Sequence, residues 1–332
     1  MKQLTILGAG SWGTALSIVL APRFETVRLW AHETDLVLRM TESRVNDLYL
    51  PNFRLPDNVR PTDNFETALT GSAIVLGVTP SHHLRLVFTR ILPYLTPEVS
   101  FVSATKGIEN GSLMRMSEVM RSVLPLRNEP KIAVLSGPTF AREVASGQPT
   151  AVVIASEDED FAALIQAAFS GPTFRLYTNT DPVGVEVGAA LKNVIAIGAG
   201  ICQGLQLGSN AIAALLTRGL AEISRLAVAM GGDPRTLSGL AGLGDLVLTC
   251  NGELSRNRKV GIALAEGMAL DQILAGTNAV AEGVQTTYAA VDLSRKHGIE
   301  MPIISQMYAV LRLNRPPKEA IRELMERSLK RE

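Results

Sequence analysis

Three glycines near the start of the chain stand at the spacing of a tight turn. An apolar LTIL run is followed by Gly8, Gly10 and Gly13, and then by a helical stretch, TALSIVLA. In a strand–GxGxxG–helix unit the glycines allow a sharp bend, close approach of the backbone to a ligand and close packing of strand on helix. The helix start then offers its amides and its positive dipole to phosphates. The pattern predicts a dinucleotide site that Ser11 and Trp12 border.

The residues after the second β-branched run bear on which dinucleotide binds. NAD-binding proteins usually carry an Asp or Glu at the end of this strand, where it binds the ribose hydroxyls. Here Val27–Trp30 is followed by Ala31, which has no carboxylate, and by His32, which could donate to a 2′-phosphate. Glu33 is the rival ribose acid, unless it is only a charged residue in the first turn of the next helix. We favour NADP, with NAD tolerated.

Two loops follow later strands, at the edge of an open α/β sheet where ligands bind. Lys106 comes after Val99–Ala104 with the flexible Gly107 behind it, and the turn Ser136–Ala141 follows Ile132–Leu135. The lysine, and the amides and hydroxyl of the turn, could hold a small polar ligand. Ordinary βα loops are the alternative interpretation.

A glycine stripe opens the second half of the chain. Gly184, Gly188 and Lys192 fall at i, i+4 and i+8 of an apolar helical segment, and therefore on one face. Glycine inside a helix costs about 0.5–1 kcal/mol, which indicates that a ligand or another helix approaches closely. Burial makes an ammonium release its proton more readily, which suits a general acid–base group. Lys192 could supply the proton when a ketone is reduced; a surface lysine is the alternative.

Two polar clusters follow this segment. The turn Gly242–Asp245 ends in a carboxylate that could accept hydrogen bonds from substrate hydroxyls. The stretch Ser255–Lys259 begins a helix with hydroxyl, amide and guanidinium groups together. A helix start favours anions and arginine binds phosphate bidentately, so this stretch predicts an anion site. A capped, solvated helix start is the alternative.

The histidines and cysteines offer a different chemistry. His82 and His83 could form the His–carboxylate pair that many hydroxy-acid dehydrogenases use, but no neighbouring acid would orient them. We therefore favour exposed histidines in a capping turn. Four scattered histidines, with Cys202 and Cys250 isolated, have no metal-ligand or disulfide spacing. We predict chemistry without a metal, in a reducing compartment.

Short β-branched runs must position these loops. They alternate with helical segments through the first half, which predicts a Rossmann-type α/β domain, a doubly wound parallel sheet with helices on both faces. Beyond about Asp181 the β signal fades, and Asn210–Met230 and Ser255–Glu266 have the pattern of helices. We predict a dinucleotide-binding domain over residues 1–180 and an all-helical substrate-binding domain over residues 181–332, with a cleft between them. The predicted strands are Leu4–Leu7, Val27–Trp30, Ile74–Val78, Val99–Ala104, Ile132–Leu135 and Ala151–Ala155.

Composition excludes several classes of protein. The 332 residues are 46% hydrophobic and 19% charged, which suits globular domains with sizeable cores. The 32 Lys and Arg balance 32 Asp and Glu, so no overall charge would draw the chain to nucleic acid or to an anionic membrane. The N-terminus superficially has the basic start and apolar run of a signal peptide, but glycines interrupt that run. Val183–Ile201 carries charges that are costly in a membrane and is predicted to be a buried helix.

Six segments together resemble the bacterial glycerol-3-phosphate dehydrogenase family that uses NAD(P)+, nearly from end to end. They are GAGSWGTA at 8–15, SATKGIE at 103–109, LSGPTFAREV at 135–144, ALKNVIAIGAGI at 190–201, GLGDLVLTC at 242–250 and SRNRKVG at 255–261. The LKN, GLGDL and SRN blocks are specific to that family. The resemblance implies a cytosolic enzyme, often a homodimer, that reversibly reduces dihydroxyacetone phosphate to sn-glycerol 3-phosphate with NAD(P)H and supplies phospholipid synthesis.

The resemblance also implies roles for individual residues, with Lys192 transferring the proton at the substrate carbinol. The glycerol 3-phosphate site would comprise Lys106, Gly137, Thr139, Lys192, Asp245, Ser255, Arg256 and Asn257. The cofactor would contact Gly8, Gly10, Ser11, Trp12, Gly13, His32, Tyr49, Lys106, Ala141, Arg256, Val280 and Glu282. Other members have Arg where His32 stands, which leaves the strength of the NADP preference open.

Two other functions are consistent with parts of the pattern. A dehydrogenase of the same broad group could act on a hydroxy acid, although one carboxylate needs fewer anion donors than Lys106 and Ser255–Asn257 offer. A non-catalytic dinucleotide sensor would keep the glycine turn but would need no proton donor.

Overall fold

The computed structural model describes residues 2–124, 130–275, 281–329 and 331. The chain divides into two compact units. We call Met1–Lys106 with Met114–Glu186 the sheet unit, and Gly107–Leu113 with Val187–Glu332 the helical unit. The boundary predicted after residue 180 lies a few residues before this division, and the assignment of 107–113 to the second unit has no signal in the sequence.

An eight-stranded sheet forms the centre of the sheet unit. The strands are β1 (Gln3–Leu7), β2 (Thr26–Trp30), β3 (Val45–Asn46), β4 (Leu50–Arg54), β5 (Val59–Thr62), β6 (Ile74–Gly77), β7 (Ser100–Ser103), β8 (Ile132–Ser136), β9 (Thr150–Ala155) and β10 (Phe174–Asn179). The order in the large sheet is β10-β9-β8-β7-β6-β1-β2-β5, while β3 and β4 form a separate antiparallel pair. All six predicted strands are present, and the predicted Rossmann-type fold is confirmed.

The predicted parallel sheet contains one antiparallel pairing, near one edge. Strands β8 and β9 are antiparallel, and β10 runs parallel to β9, so these last two strands oppose the others. The short helix α6 (Ala141–Ala145) between β8 and β9 packs on α1 (Ser11–Leu20). Since the helix stays beside α1, the chain turns back directly instead of crossing over as parallel strands require.

The sequence pattern did not predict the two edge strands, β5 and β10, for local reasons. Strand β5 contains Pro61, which weakens a strand pattern but is tolerated at an edge, where its missing N–H is not needed. Strand β10 alternates between buried and exposed residues and carries the charged Arg175. The sequence pattern thus identified the central strands, which are apolar on both faces, more readily than the edges.

Two apolar cores lie on the two faces of the sheet. Side chains alternate across a strand, so Leu4 and Ile6 of β1 join one cluster, whereas Leu7 joins the other with Val75 and Phe101. Among the described residues of the sheet unit, seven α-helices pack around this sheet. They are α1 (Ser11–Leu20), α2 (Thr34–Ser43), α3 (Phe65–Leu69), α4 (Leu84–Ile91), α5 (Met116–Val123), α6 (Ala141–Ala145) and α7 (Glu159–Phe169).

The helical unit has no strand among its described residues, as predicted. Its helices are α8 (Pro182–Gly204, which begins in the sheet unit), α9 (Gly208–Ala229), α10 (Pro234–Leu237), α11 (Asp245–Asn251), α12 (Arg256–Ala265), α13 (Leu270–Ala275), α14 (Glu282–His297), α15 (Pro302–Leu313) and α16 (Pro317–Met325). A single π-helical turn, Leu240–Gly244, leads into α11. Helices α9 and α12 match the predicted Asn210–Met230 and Ser255–Glu266 closely.

Helix α8 is the one described helix that is long and apolar enough to cross a membrane. The whole of its apolar stretch is buried within the structure, which agrees with the prediction of a buried core helix. Glu186, near its start, is buried and accepts hydrogen bonds from Arg115 Nη1 at 2.6 Å and from the backbone N–H of Ser117 at 2.7 Å. Burial raises the pKa of Glu186, and the Arg115 guanidinium acts against that rise.

Candidate active site

The turn from Gly8 to Gly13 brings two pieces of backbone into direct contact. Gly8 has a φ of +119°, in the left-handed region that favours glycine. A Cβ on Gly13 would lie 1.9 Å from the carbonyl oxygen of Gly8, so no side chain fits between strand and helix. A Cβ on Gly10 would meet nothing within 4 Å. The fold itself therefore needs Gly8 and Gly13, whereas Gly10 faces open space.

The start of α1 offers hydrogen-bond donors beside Gly10. Gly10 is the residue before the helix, and no side chain caps it. The first amides of a helix have no partner within the helix and carry positive partial charge. Ser11 and Trp12 begin the helix, and the buried Nε1 of Trp12 has no hydrogen-bond partner among the described residues. Donors of this kind fit the acceptor oxygens of a pyrophosphate.

Asn46 fixes the turn from the side, which the sequence did not indicate. Its Nδ2 donates to the carbonyl oxygen of Ala9 at 2.7 Å and to Oγ1 of Thr14 at 2.8 Å. The hydroxyl of Thr14 in turn donates to the carbonyl of Ala9 at 3.2 Å. Asn46 lies on β3 and is fully buried, so the small β3–β4 sheet holds the glycine turn in place.

The three residues after β2 have different environments. Ala31 is buried, while His32 and Glu33 are exposed. Glu33 precedes α2, and its carboxylate accepts a hydrogen bond from the hydroxyl of Tyr49 at 2.8 Å. Burial, followed by this bond to Glu33, raises the pKa of Tyr49 to about 12. Glu33 is thus engaged with Tyr49, a second predicted cofactor contact.

The loops after β7 and β8 bring Lys106, Gly137 and Thr139 together. Lys106 Nζ donates to the carbonyl oxygen of Gly137 at 3.1 Å and lies 3.4 Å from Oγ1 of Thr139. Gly137 has a φ of +139°, and a Cβ there would lie 3.0 Å from Cα of Val152. Ala141 begins α6 directly after this turn. An ammonium and a hydroxyl therefore stand side by side at the carboxyl end of the strands.

In the helical unit, Lys192 of α8 is buried in an ion pair. Its Nζ lies 2.6 Å from Oδ1 of Asp245, which is fully buried, and 2.7 Å from Oγ1 of Thr249. Thr249 donates its own proton to the carbonyl oxygen of Asp245 at 2.7 Å. The surface-lysine interpretation is therefore wrong. Lys192 and Asp245 thus form a buried ion pair.

Gly188 allows the segment that leads into Asp245 to approach Lys192. A Cβ on Gly188, one turn before Lys192, would lie 2.9 Å from the carbonyl oxygen of Ala241 and 3.6 Å from Cα of Gly242. Ala241 and Gly242 belong to the π-helical turn that leads into Asp245. The glycine stripe predicted from the sequence thus allows another backbone segment to approach α8. π-helical turns often occur at functional sites.

The start of α12 carries the predicted anion-binding residues. The hydroxyl of Ser255 caps the helix by accepting from the backbone N–H of Arg258 at 3.3 Å. Asn257 donates to Oδ1 of Asn193 at 3.0 Å and accepts from the backbone N–H of Gly283 at 3.0 Å. Burial lowers the pKa of Arg256, and Glu282 acts against that change. The capping interpretation therefore holds for Ser255 and does not exclude an anion site.

Two further predicted residues have different outcomes. Glu282 begins α14, and its carboxylate acts to raise the pKa of Arg256. Val280 lies outside the described residues.

His82 and His83 are exposed in the turn before α4, with ring centroids 4.0 Å apart. In the described part of the chain, no three His, Cys, Asp or Glu side chains group as metal ligands would.

Three residues in these networks were missed by sequence reasoning. Thr249 stands four residues after Asp245, a helical spacing that could have identified it. Asn193 is next to Lys192 within the LKN block, but its partner lies 64 positions away. Asn46 had no signal, because its role depends on a contact between β3 and the glycine turn.

Comparison with known proteins gives these features a family. A model of the N-terminus of NAD-dependent glycerol-3-phosphate dehydrogenase matches residues 3–162, and a model of the C-terminus matches residues 181–322. The chain belongs to this family. It is 56% identical over 329 residues to a glycerol-3-phosphate dehydrogenase of Koribacter versatilis, covering 98% of each chain.

Other family members agree in sequence and in fold. A glycerol-3-phosphate dehydrogenase of a Geobacter species is 51% identical over 331 residues, covering 100% of this chain and 99% of the relative. The crystal structure of the Coxiella burnetii enzyme has a TM-score of 0.94 at 42% identity, covering 98% of this chain and 99% of that one. The family dehydrogenases thus match this chain over both units.

Proposed function

We propose that this chain reversibly reduces dihydroxyacetone phosphate to sn-glycerol 3-phosphate with NAD(P)H. The observation that carries the proposal is the buried ammonium of Lys192, held 2.6 Å from Asp245 and 2.7 Å from Thr249. A non-catalytic dinucleotide sensor would have no use for such a group. Family membership, with relatives named as NAD(P)-dependent glycerol-3-phosphate dehydrogenases, supports the substrate.

Lys192 acts as the general acid in this proposal. When bound, the reduced nicotinamide supplies a hydride to the carbonyl carbon of the substrate. Lys192 donates a proton to the carbonyl oxygen, which becomes the carbinol hydroxyl, and in the reverse direction it accepts that proton. Asp245 and Thr249 hold the ammonium in one position, and Asp245 stabilises its charged form before transfer.

The substrate phosphate is met by the start of α12. Arg256 supplies a guanidinium that can bind phosphate bidentately, and the helix start adds positive partial charge. Ser255 and Asn257 hold this helix start through their hydrogen bonds. In the sheet unit, the ammonium of Lys106 and the hydroxyl of Thr139 beside Gly137 offer further donors to the substrate.

The cofactor is held by the glycine turn and the residues after β2. Gly10 would leave space for the pyrophosphate, and the first amides of α1 would bind its oxygens. We favour NADP because His32 is available to a 2′-phosphate, whereas Glu33 is engaged by Tyr49. The remaining contacts are assigned by family resemblance to Ala141 and Glu282, and to Val280 outside the described residues.

The test is turnover of the purified protein with dihydroxyacetone phosphate and either NADPH or NADH. We expect robust oxidation of NADPH, slower use of NADH, and no activity on 2-keto acids. Activity on a 2-keto acid without activity on the phosphate would make this chain a hydroxy-acid dehydrogenase instead. Cofactor binding without any turnover would favour the sensor.

The same assay tests the role of His32. An exposed charge pair contributes about 0.2–1 kcal/mol, so His32→Ala should lower the NADPH to NADH ratio of kcat/KM by up to about fivefold. His297→Ala, at the far end of α14, is the matched control and should leave the ratio unchanged. If the ratio does not move in His32→Ala, then His32 does not contact the 2′-phosphate.

We further propose that the enzyme is cytoplasmic, forms a homodimer and feeds phospholipid synthesis. Family resemblance supports these three points. Sedimentation of the purified protein across concentrations measures the oligomeric state, and a monomer at every concentration would contradict the dimer.

A further inference from the structure

Gly283, the second residue of α14, touches the backbone of α8. A Cβ at this position would lie 2.6 Å from the carbonyl oxygen of Asn193, 2.7 Å from Oδ1 of Asn257 and 2.9 Å from the carbonyl carbon of Asn193. All three distances are shorter than real Cβ contacts, and two of them involve backbone that cannot rotate away. The start of α14 can therefore rest against α8 at this point only because the residue is glycine.

A buried chain of hydrogen bonds runs through the same contact. The backbone N–H of Gly283 donates to Oδ1 of Asn257, and Nδ2 of Asn257 donates to Oδ1 of Asn193, both at 3.0 Å. Nδ2 of Asn193 donates to the carbonyl of Ala189 at 3.3 Å. Asn193 and Asn257 are 6% and 8% exposed. Hydrogen bonds in such a buried, satisfied network restrict each group to one position.

Three residues of this hydrogen-bond network each directly follow a residue of the proposed site. Asn193 follows Lys192, which donates the proton, and Asn257 follows Arg256, which binds phosphate. Gly283 follows Glu282, the cofactor contact at the first position of α14. The hydrogen bonds thus connect three helices next to the residues on which the reaction depends.

We propose that Gly283 is a positioning residue for the reaction, which fixes the start of α14 against Lys192 and Arg256 through Asn193 and Asn257. This inference rests on the proposed function. Gly283 itself touches no reacting atom. Its small size sets how closely α14 approaches α8, and the two asparagines keep the three helix segments in register.

The size of the effect follows from the distances. A methyl group at Gly283 must move from 2.6 Å to about 3.4 Å from the Asn193 carbonyl to reach ordinary contact, a shift of about 0.8 Å. Misplacing reacting groups by about 1 Å can reduce rates by about 100-fold. Alanine is otherwise the better helix former, so helix propensity alone would favour the substitution.

The test compares Gly283→Ala with Gly171→Ala. A Cβ on Gly171 would meet nothing within 4 Å, so this control should match the wild type. We measure kcat and KM for dihydroxyacetone phosphate, Kd for NADPH by fluorescence, and Tm. In Gly283→Ala we expect kcat to fall at least tenfold, by a larger factor than KM or Kd rises. A merely structural glycine would lower Tm and leave kcat per folded molecule unchanged, which would overturn the inference.

Asn193→Ala provides a second variant that avoids the steric clash. It removes the acceptor on α8 but leaves Gly283 and its bond to Asn257 in place. We expect a smaller loss in kcat, about threefold to tenfold, which again exceeds any rise in KM. If both variants keep the wild-type kcat, the inference is wrong while the proposed function stands. A wild-type protein that does not reduce dihydroxyacetone phosphate would remove both.

Discussion

The candidate sites of the two units are built from different kinds of groups. The glycine turn of the sheet unit offers backbone amides and open space, and its critical residues have no side chains. The site of the helical unit depends on charged and polar side chains that are buried, with Lys192 5% exposed and Asp245 fully buried. The contrast predicts that adding a single methyl group is the damaging change at the glycine turn, whereas removing a single charge is the damaging change at the Lys192–Asp245 pair.

The physical reason is the cost of burying charge. An unpaired buried charge is unstable, and removing one partner of a buried ion pair typically costs about 3–5 kcal/mol. Amides at a helix start carry only partial charge and remain accessible, so the turn needs no such compensation. The helical unit therefore must assemble Lys192, Asp245 and Thr249 together, whereas the turn needs only the right backbone path.

Loss of the Lys192 ammonium should have the largest effect. We expect Lys192→Ala to reduce kcat by about 100-fold or more, the scale of lost acid–base catalysis, with NADPH binding nearly intact. Steady-state kinetics and NADPH titration measure the two quantities. Lys131→Ala is the matched control, because Lys131 pairs with Asp158 at 3.1 Å on the surface. A wild-type rate in Lys192→Ala would remove this residue from the mechanism.

The buried carboxylates of the two units also differ, in the groups that donate hydrogen bonds to them. Glu186 has the Arg115 guanidinium at 2.6 Å, whereas Glu222 of α9 accepts from the backbone N–H groups of Ile303 and Ile304 at 2.8 Å and 3.2 Å. Burial raises the pKa of Glu222 from 4.5 to about 7. The folded protein therefore binds this proton more tightly than the unfolded chain does. The stability from this group is fully present below about pH 4.5 and is lost as the pH rises through 7.

Glu222→Gln keeps an acceptor but cannot ionise. The pKa difference corresponds to about 3 kcal/mol, so the free energy of unfolding of the variant should gain about that much relative to the wild type between pH 4.5 and pH 8. Denaturant unfolding at several pH values measures this difference. A difference that does not change with pH would show that Glu222 titrates normally.

Gly10→Ala should have a smaller effect than the changes at Lys192 and Glu222, and it separates ligand binding from folding. Gly10→Ala should leave Tm unchanged, because the methyl group meets nothing, but should weaken NADPH binding about tenfold by occupying the space of the pyrophosphate. Gly13→Ala is the comparison, and it should lower both Tm and affinity because of the 1.9 Å approach to Gly8. NADPH titration and thermal unfolding test both variants. Unchanged affinity in Gly10→Ala would place the cofactor elsewhere.

The predictable parts of this protein are those that short segments encode. The strand–glycine–helix unit, the central strands and the apolar helix α8 each carry their pattern within about 20 residues, and all are present in the structure. The edge strands β5 and β10 were missed because Pro61 and exposed positions weaken their patterns. The reversed direction of β9 was missed because strand direction depends on where α6 packs.

In the candidate site, too, the features that short segments encode were predictable. The types and spacing of Lys192, Asp245 and Ser255–Asn257 pointed to a proton donor, a carboxylate and an anion site before any contact was known. The glycine stripe correctly indicated a close approach to α8, but not that the π-helical turn before Asp245 makes it. Thr249, Asn193 and Asn46 became visible only through their hydrogen bonds.

By itself, the sequence determined that the chain has a dinucleotide turn followed by a helical region, and its motif blocks indicated the family. Only the tertiary structure decided that Lys192 is an ion-paired buried ammonium, because Asp245 is 53 positions away and the pairing depends on helices packing at a glycine. Local patterns specify backbone conformation within a few residues. The environment of a buried charge comes from distant segments, so it exists only once the chain has folded.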